Sequence, residues 1–314
     1  MSSKPLSFEI PEIVNPSGRE GSPHRRPMNY TTDETRESTV KETGGQPRID
    51  FEGTSNPYIN YESIDLLLSL QHPRSEGYDE MCFILSGQCK ELLFKMVHFE
   101  LHNARLCIIR DDLPRAFVIL DRTKKIFRYI GDIWDVLSTI TAHGFSEFRN
   151  HLGSASGQLS FMYRHVEFIL GNKSKAMEQA HRNVPHVYPA IKKAFEEPSL
   201  YDEVIRMLDR KGYAIAEELL ERDWTLPHQS HPSVQKAWLE IYGNPVPENE
   251  LYRFGEDLTE IADLFSQYRW RHFVSVQRIL GLKPGTGGST GVGWLKGITE
   301  HRFFPELWDI RTQL

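Results

Sequence analysis

The sequence predicts an all-α fold, a bundle of long helices with a smaller helical insertion at about residues 173–245. Three features point there. From Tyr58 onward, apolar residues recur at helical steps over stretches too long for strands. Prolines and a terminal glycine mark off those stretches. Strand-like alternation is scarce, and no internal repeat is visible.

Residues 1–55 are rich in Pro, Gly, Ser, Thr and charge, as in Thr31-Thr32-Asp33-Glu34-Thr35-Arg36-Glu37-Ser38. Such a segment cannot bury enough apolar area to offset its ordering entropy, so it reads as a mobile arm, or as one ordered only against a partner subunit. Residues 56–314 form the helical domain. Ile64, Leu67, Leu68 and Gln71 predict one short helix, stopped by His72-Pro73. A long helix runs from Tyr78 to about Arg110, with Phe83, Leu92, Phe94, Val97, Leu101 and Ile109 mostly at helical spacing. Leu113-Pro114 opens the next, because proline is tolerated in a first turn. It carries Phe117, Leu120, Ile126, Ile130, Trp134 and Leu137. From about Gly157 to Tyr242 come shorter helices split by Pro185, Pro189, Pro198 and Pro227. Glu248 to Leu280 is the last long helix, ended by Gly281 in the manner of a C-cap.

The composition narrows the function. With 39% hydrophobic residues and 17 Phe, 12 Tyr and 6 Trp, the chain can build a sizeable core. Its net charge of −6 excludes a general nucleic-acid binder, which would show a basic face. Cys82, Cys89 and Cys107 are an odd number on apolar helical patterns, so they read as reduced, buried thiols of a cytoplasmic protein. CxxC and CxxCH are absent, which removes zinc ribbons and covalent heme attachment. No signal peptide and no membrane span is expected.

Several residues are candidates for chemistry. His272 shares a helix face with Val276 and Ile279, so it points inward, either as a hydrogen-bonded core residue or as a metal ligand. Gly285-Thr286-Gly287-Gly288-Ser289-Thr290-Gly291 lacks both the P-loop and the dinucleotide pattern. It is a connector, or a loop whose hydroxyls and N–H groups close on an ammonium or a carboxylate. Arg149, among Phe145, Phe148 and the small residues Gly153-Ser154-Ala155-Ser156-Gly157, is a surface group or a carboxylate clamp. Gly87 interrupts a helix at a cost of about 1 kcal/mol relative to alanine, for close packing or to make room for a ligand. His98 and His102 form an HxxxH pair without an evident third ligand and read as structural.

Taken together, these segments resemble tryptophan 2,3-dioxygenase and its superfamily of histidine-ligated heme enzymes. The likeness runs from about Tyr58 to the C-terminus. It is carried by Tyr58-Ile59-Asn60-Tyr61, Leu70-Gln71-His72-Pro73, Asp79-Glu80-Met81-Cys82-Phe83-Ile84, Gln88, Glu91-Leu92-Leu93-Phe94-Lys95, Phe145-Ser146-Glu147-Phe148-Arg149, Ser154-Ala155-Ser156-Gly157, Arg271-His272, Arg278 and Gly285-Thr286-Gly287-Gly288-Ser289. The resemblance implies heme b with His272 as its proximal iron ligand. It implies Arg149 on the substrate carboxylate, Thr286 on the substrate ammonium and Phe83 along the indole. It also implies a homotetramer, a dimer of dimers, in which Tyr58 and Tyr61 reach a neighbour's active site. One departure stands out: the family's distal histidine, in a Phe-x-x-x-His-Gln pattern, is here Gly87, preceded by Ser86. Tyr78 and Leu93 stand where the family usually has His and often has Trp.

The implied activity is a heme-dependent oxygenation of L-tryptophan or a substituted tryptophan by dioxygen or peroxide. With Gly87 and Ser86 in place of the distal group, the expectation leans to C2 monooxygenation, giving a 2-oxindole. The alternative is cleavage of C2–C3 to N-formylkynurenine. Tyrosine hydroxylation and a non-catalytic heme sensor are further readings.

Overall fold

The structure, a computed structural model, describes residues 8–14, 26, 30–49, 51 and 56–314. Among the described residues all regular structure is helical. They fall into two compact units, one with residues 8–14 and 73–314, the other within residues 19–72.

The smaller unit holds three short helices. In α1 (Asp33–Glu42) Thr32 caps the first turn, and Thr32 and Thr35 exchange backbone-to-hydroxyl hydrogen bonds. No residue of α1 is buried. α2 (Pro57–Glu62) starts at Asn56, whose side chain accepts from the Tyr58 and Ile59 amides, and α3 (Ile64–Leu67) follows. The short helix expected from Ile64 to Gln71 is α3, which ends at Leu67, and α2 precedes it. Ser63, at φ 52, takes the left-handed conformation and breaks the ladder.

The larger unit is built on three long helices, α4 (Asp79–Ile109), α5 (Leu113–Leu137) and α12 (Glu250–Leu280). A tight turn through Asp111, at φ 55, folds α5 back on α4, and Asp112 caps α5 through the Arg115 amide. Between α5 and α12 lie α6 (Ala142–Arg149), α7 (Phe161–Ile169), α8 (Lys175–Gln179), α9 (Tyr188–Glu196), α10 (Leu200–Arg210) and α11 (Pro232–Tyr242). α13 (Val292–Glu300) and α14 (Pro305–Asp309) close the chain. Phe94, Val97 and Leu101 of α4 meet Leu120, Phe127 and Ile130 of α5 and Ile261 and Phe265 of α12 in one core.

Several expectations change in detail. Pro189 sits in the first turn of α9 and does not split a helix, as its missing N–H allows. The later part of the 173–245 segment joins the main core, with Leu200, Val204 and Leu208 buried in it, while Val187, Ile191 and Phe195 form a separate cluster with Phe168. A polar network ties the segment to α14, with Trp238 Nε1 donating to Tyr201 Oη and Tyr201 Oη donating to Glu306 at 2.9 Å. Of the cysteines only Cys107 is buried; Cys89 is exposed. Within the expected arm, Ile13 is buried and Glu9 trades two 3.0 Å hydrogen bonds with Asn103 of α4. Residues 1–7 lie outside the described residues.

The bundle also buries an ion network. Arg269 of α12 donates to Glu167 of α7 at 2.7 Å and to Tyr163 Oη at 3.1 Å. Glu167 also accepts from Arg164. All three charged groups are almost fully buried. Glu167→Ala would strand two guanidinium groups and is expected to cost about 3–5 kcal/mol. Urea denaturation measures this, and a loss below about 1 kcal/mol would contradict the role given to the network.

Burial also pushes His165 down to about 3 and His301 down to about 4. An unfolded histidine titrates near about 6.5. Between about pH 6.5 and those lower values the unfolded chain binds protons that the folded chain refuses, so stability falls as pH falls. The urea midpoint is expected to drop between about pH 7 and about pH 5; an unchanged midpoint would refute neutral burial of these rings.

Candidate active site

A cavity of about 380 Å³ opens within the larger unit. Its wall takes Phe83, Gly87 and Lys90 from α4, Trp134 from α5, Phe145 from α6, His272 and Val276 from α12, Thr286 from the glycine loop, and Leu295 from α13. Most of that surface is carbon.

His272 projects into this cavity from one turn beyond the buried Tyr268. Its ring lies nearly parallel to the Trp134 indole, 4.4 Å away at 14°. Stacking, not a hydrogen bond, thus sets the plane of the imidazole. Burial, with the positive charge of Lys90 adding to it, pushes His272 down to about 3. The ring is neutral at physiological pH, the form in which an imidazole nitrogen can bind a metal.

The glycine loop is latched and is not a free connector. Thr286 Oγ1 donates to the Ala155 carbonyl at 2.6 Å. Gln158 Nε2 donates to the Gly287 carbonyl at 3.2 Å, and Arg149 Nη2 donates to the Pro284 carbonyl at 2.6 Å. Within the loop, the Gly285 amide donates to the Ser289 carbonyl. At Gly287 a Cβ would lie 2.6 Å from Gln158 Nε2 and 2.8 Å from Ser156 Cβ, so only glycine fits this approach.

The structure brings four of the expected residues together: His272, Thr286, Phe83 and Gly87 all line the cavity. Phe83 is braced by Phe145 and Phe148, with ring centroids at 6.0 and 5.4 Å. A Cβ at Gly87 would meet no atom within 4 Å, so this position faces open space and does not serve close packing. Arg149 lies outside the lining, behind the loop, with its Nε buried and unpartnered. Ser86 is buried away from the cavity wall. Tyr58 and Tyr61 are exposed on α2 of the smaller unit.

Lys90 and Trp134 were not singled out in the sequence. Lys90 follows Gly87 by three residues and so shares its helix face, which is the one available signal. Trp134 reads as ordinary core periodicity. The HxxxH pair belongs to a second cavity of about 370 Å³, where His98 and His165 pack at 4.9 Å between ring centroids. His98 is buried, and no three His, Cys, Asp or Glu side chains among the described residues are grouped to hold a metal.

An all-helical bundle with a neutral, cavity-facing histidine beneath a hydroxyl-bearing loop has the build of a helical heme-dependent oxidoreductase. The family model for tryptophan 2,3-dioxygenase matches residues 42–245 and 239–314. Tryptophan 2,3-dioxygenase 1 of Ralstonia nicotianae is 44% identical over 267 residues, covering 85% of this chain and 90% of that protein. The tryptophan 2,3-dioxygenases of Ralstonia pickettii and Paraburkholderia phytofirmans are each 43% identical, again over 85% of this chain, and over 96% and 87% of their own. The chain belongs to the tryptophan 2,3-dioxygenase family, and a heme cofactor goes with that membership.

The latch makes a direct prediction. Gly287→Ala should push the loop off Ser156 and Gln158, at a cost of about 1–3 kcal/mol for overpacking. Limited proteolysis should then cut within 283–291 faster than in the parent protein; equal cutting rates would show that the loop is not held there.

Proposed function

We propose that this protein is a heme-dependent dioxygenase that cleaves the C2–C3 bond of L-tryptophan to give N-formylkynurenine. The observation that carries the reading is His272 facing a mostly carbon-walled cavity lined also by Thr286 of the glycine loop, in a chain of this family. These residues fit a heme: His272 would hold the iron, and the apolar walls suit a macrocycle.

When bound, heme supplies the redox chemistry that lets dioxygen react with a closed-shell indole. The chain's own residues bind and orient. Trp134 keeps the imidazole plane fixed. Phe83 and Phe145 offer flat apolar surface to the indole. Thr286 Oγ1 spends its proton on Ala155 and keeps lone pairs to accept from the substrate ammonium. Arg149 is the group proposed for the carboxylate; it sits behind the lining with Nη2 on the Pro284 carbonyl and would turn into the cavity to present its planar fork. By fixing the amino-acid head, the latched loop would orient the indole edge within the site, an orientation effect.

The 2-oxindole expectation gives way here. It rested on Gly87 and Ser86 in place of the distal group, Ser86 is off the cavity wall, and the relatives compared above carry the dioxygenase name. Gly87 leaves space but removes neither His272 nor the amino-acid clamp. We also propose the family's tetramer, with exposed Tyr58 and Tyr61 offered to a neighbouring subunit, and a cytoplasmic location. No described helix is long and apolar enough to cross a membrane.

Product mass decides the reaction. With ferrous heme, L-tryptophan and dioxygen, the product should gain two oxygen atoms; a gain of one would restore the 2-oxindole reading. His272→Ala should abolish stable heme retention, and unchanged retention would refute the ligand assignment.

A further inference from the structure

Lys90 is a half-buried cation facing the cavity with no salt-bridge partner among the described residues. Arg164 and Arg269, the other cations in the wall, both pair with Glu167. Lys90 has no carboxylate within 4 Å among the described residues; Glu91, next in the chain, acts on it only from farther away. Its Nζ sits 4.2 Å from the centroid of the Trp134 ring, the ring that stacks on His272. A cation–π contact of this kind offsets part of the desolvation cost but leaves the charge uncompensated. Beside it, Trp134 Nε1 is buried and donates to nothing.

An ammonium and an unpartnered indole N–H therefore belong to the contact that stacks against His272, in a wall made mostly of carbon whose one carboxylate, Glu91, makes no ion pair with Lys90 within 4 Å. The group that answers both is a carboxylate. Two sources bring carboxylates to this cavity: the propionates of heme and the head of the amino acid. The proposed amino-acid clamp is built on the glycine loop, through Thr286 and Arg149. The Lys90–Trp134 pair lies at the His272 side.

We propose that Lys90, assisted by Trp134 Nε1, holds a heme propionate and so fixes how heme seats over His272. This rests on the heme reading above and extends it to a residue of this chain. Lys90 is a positioning residue: it acts on the heme rim and takes no part in bond making.

The test titrates apo-protein with hemin and with hemin dimethyl ester, following the Soret band. Lys90→Met should weaken hemin binding about tenfold or more, as expected for losing a charge-assisted hydrogen bond. Lys90→Arg should recover most of it, and circular dichroism should show both variants folded. The dimethyl ester, which has no propionate charge, should bind wild type and Lys90→Met equally. Equal hemin affinity in Lys90→Met would overturn the proposal. So would an undiminished penalty with the ester, which would mark Lys90 as structural. A loss confined to the tryptophan-induced spectral shift would overturn it by assigning Lys90 to the substrate carboxylate. Wild-type protein that takes up no heme at all would remove the functional reading itself, and this one with it.

Discussion

The site depends on the buried guanidinium of Arg269. Three residues before His272 on the same helix, it fixes the rotation of α12 about its axis by reaching Glu167, Tyr163 and the His301 carbonyl. A helix turns about 100° per residue, so a slip at 269 would swing the His272 imidazole away from Trp134. The same network runs on to the loop. Arg164, the second partner of Glu167, donates to the Gln158 carbonyl at 3.1 Å, and Gln158 in turn holds Gly287. One continuous set of polar contacts thus registers the histidine helix and the glycine loop against each other.

The long helices were legible because their signal is local. Apolar spacing placed α4, α5 and α12 within two residues of their true ends, and Pro114 and Gly281 marked a start and a stop. What periodicity could not show were consequences of contacts distant in sequence. The bond from Tyr201 to Glu306 draws the later part of the 173–245 segment into the main core, and nothing near either residue announces it. Ser63 looks helical in its own neighbourhood, yet takes a left-handed conformation.

The site was legible in part for the same reason. His272 faces inward by its own helix spacing, and the family motifs supplied Phe83 and Thr286, which the cavity brings together. Arg149 is near them but engages the loop backbone. Ser86 neighbours Gly87 in sequence, but adjacent helical residues point about 100° apart, and Ser86 is off the wall. Lys90 and Trp134 escaped notice because a lysine on a helix reads as a solvated charge and a tryptophan as core. Only their long-range pairing across α4 and α5 gives them a place beside His272.

The latch on the glycine loop has an evolutionary side. All three of its acceptors, at Ala155, Pro284 and Gly287, are main-chain carbonyls. A carbonyl survives most substitutions of its own residue, so within the loop the latch constrains chiefly Thr286, which donates, and Gly287, where no Cβ fits. Neighbouring positions such as Thr290, exposed and outside those three contacts, are free to drift under mutation. A lineage of such enzymes can retune the rim of its pocket for a bulkier amino acid while the closure itself is inherited unchanged.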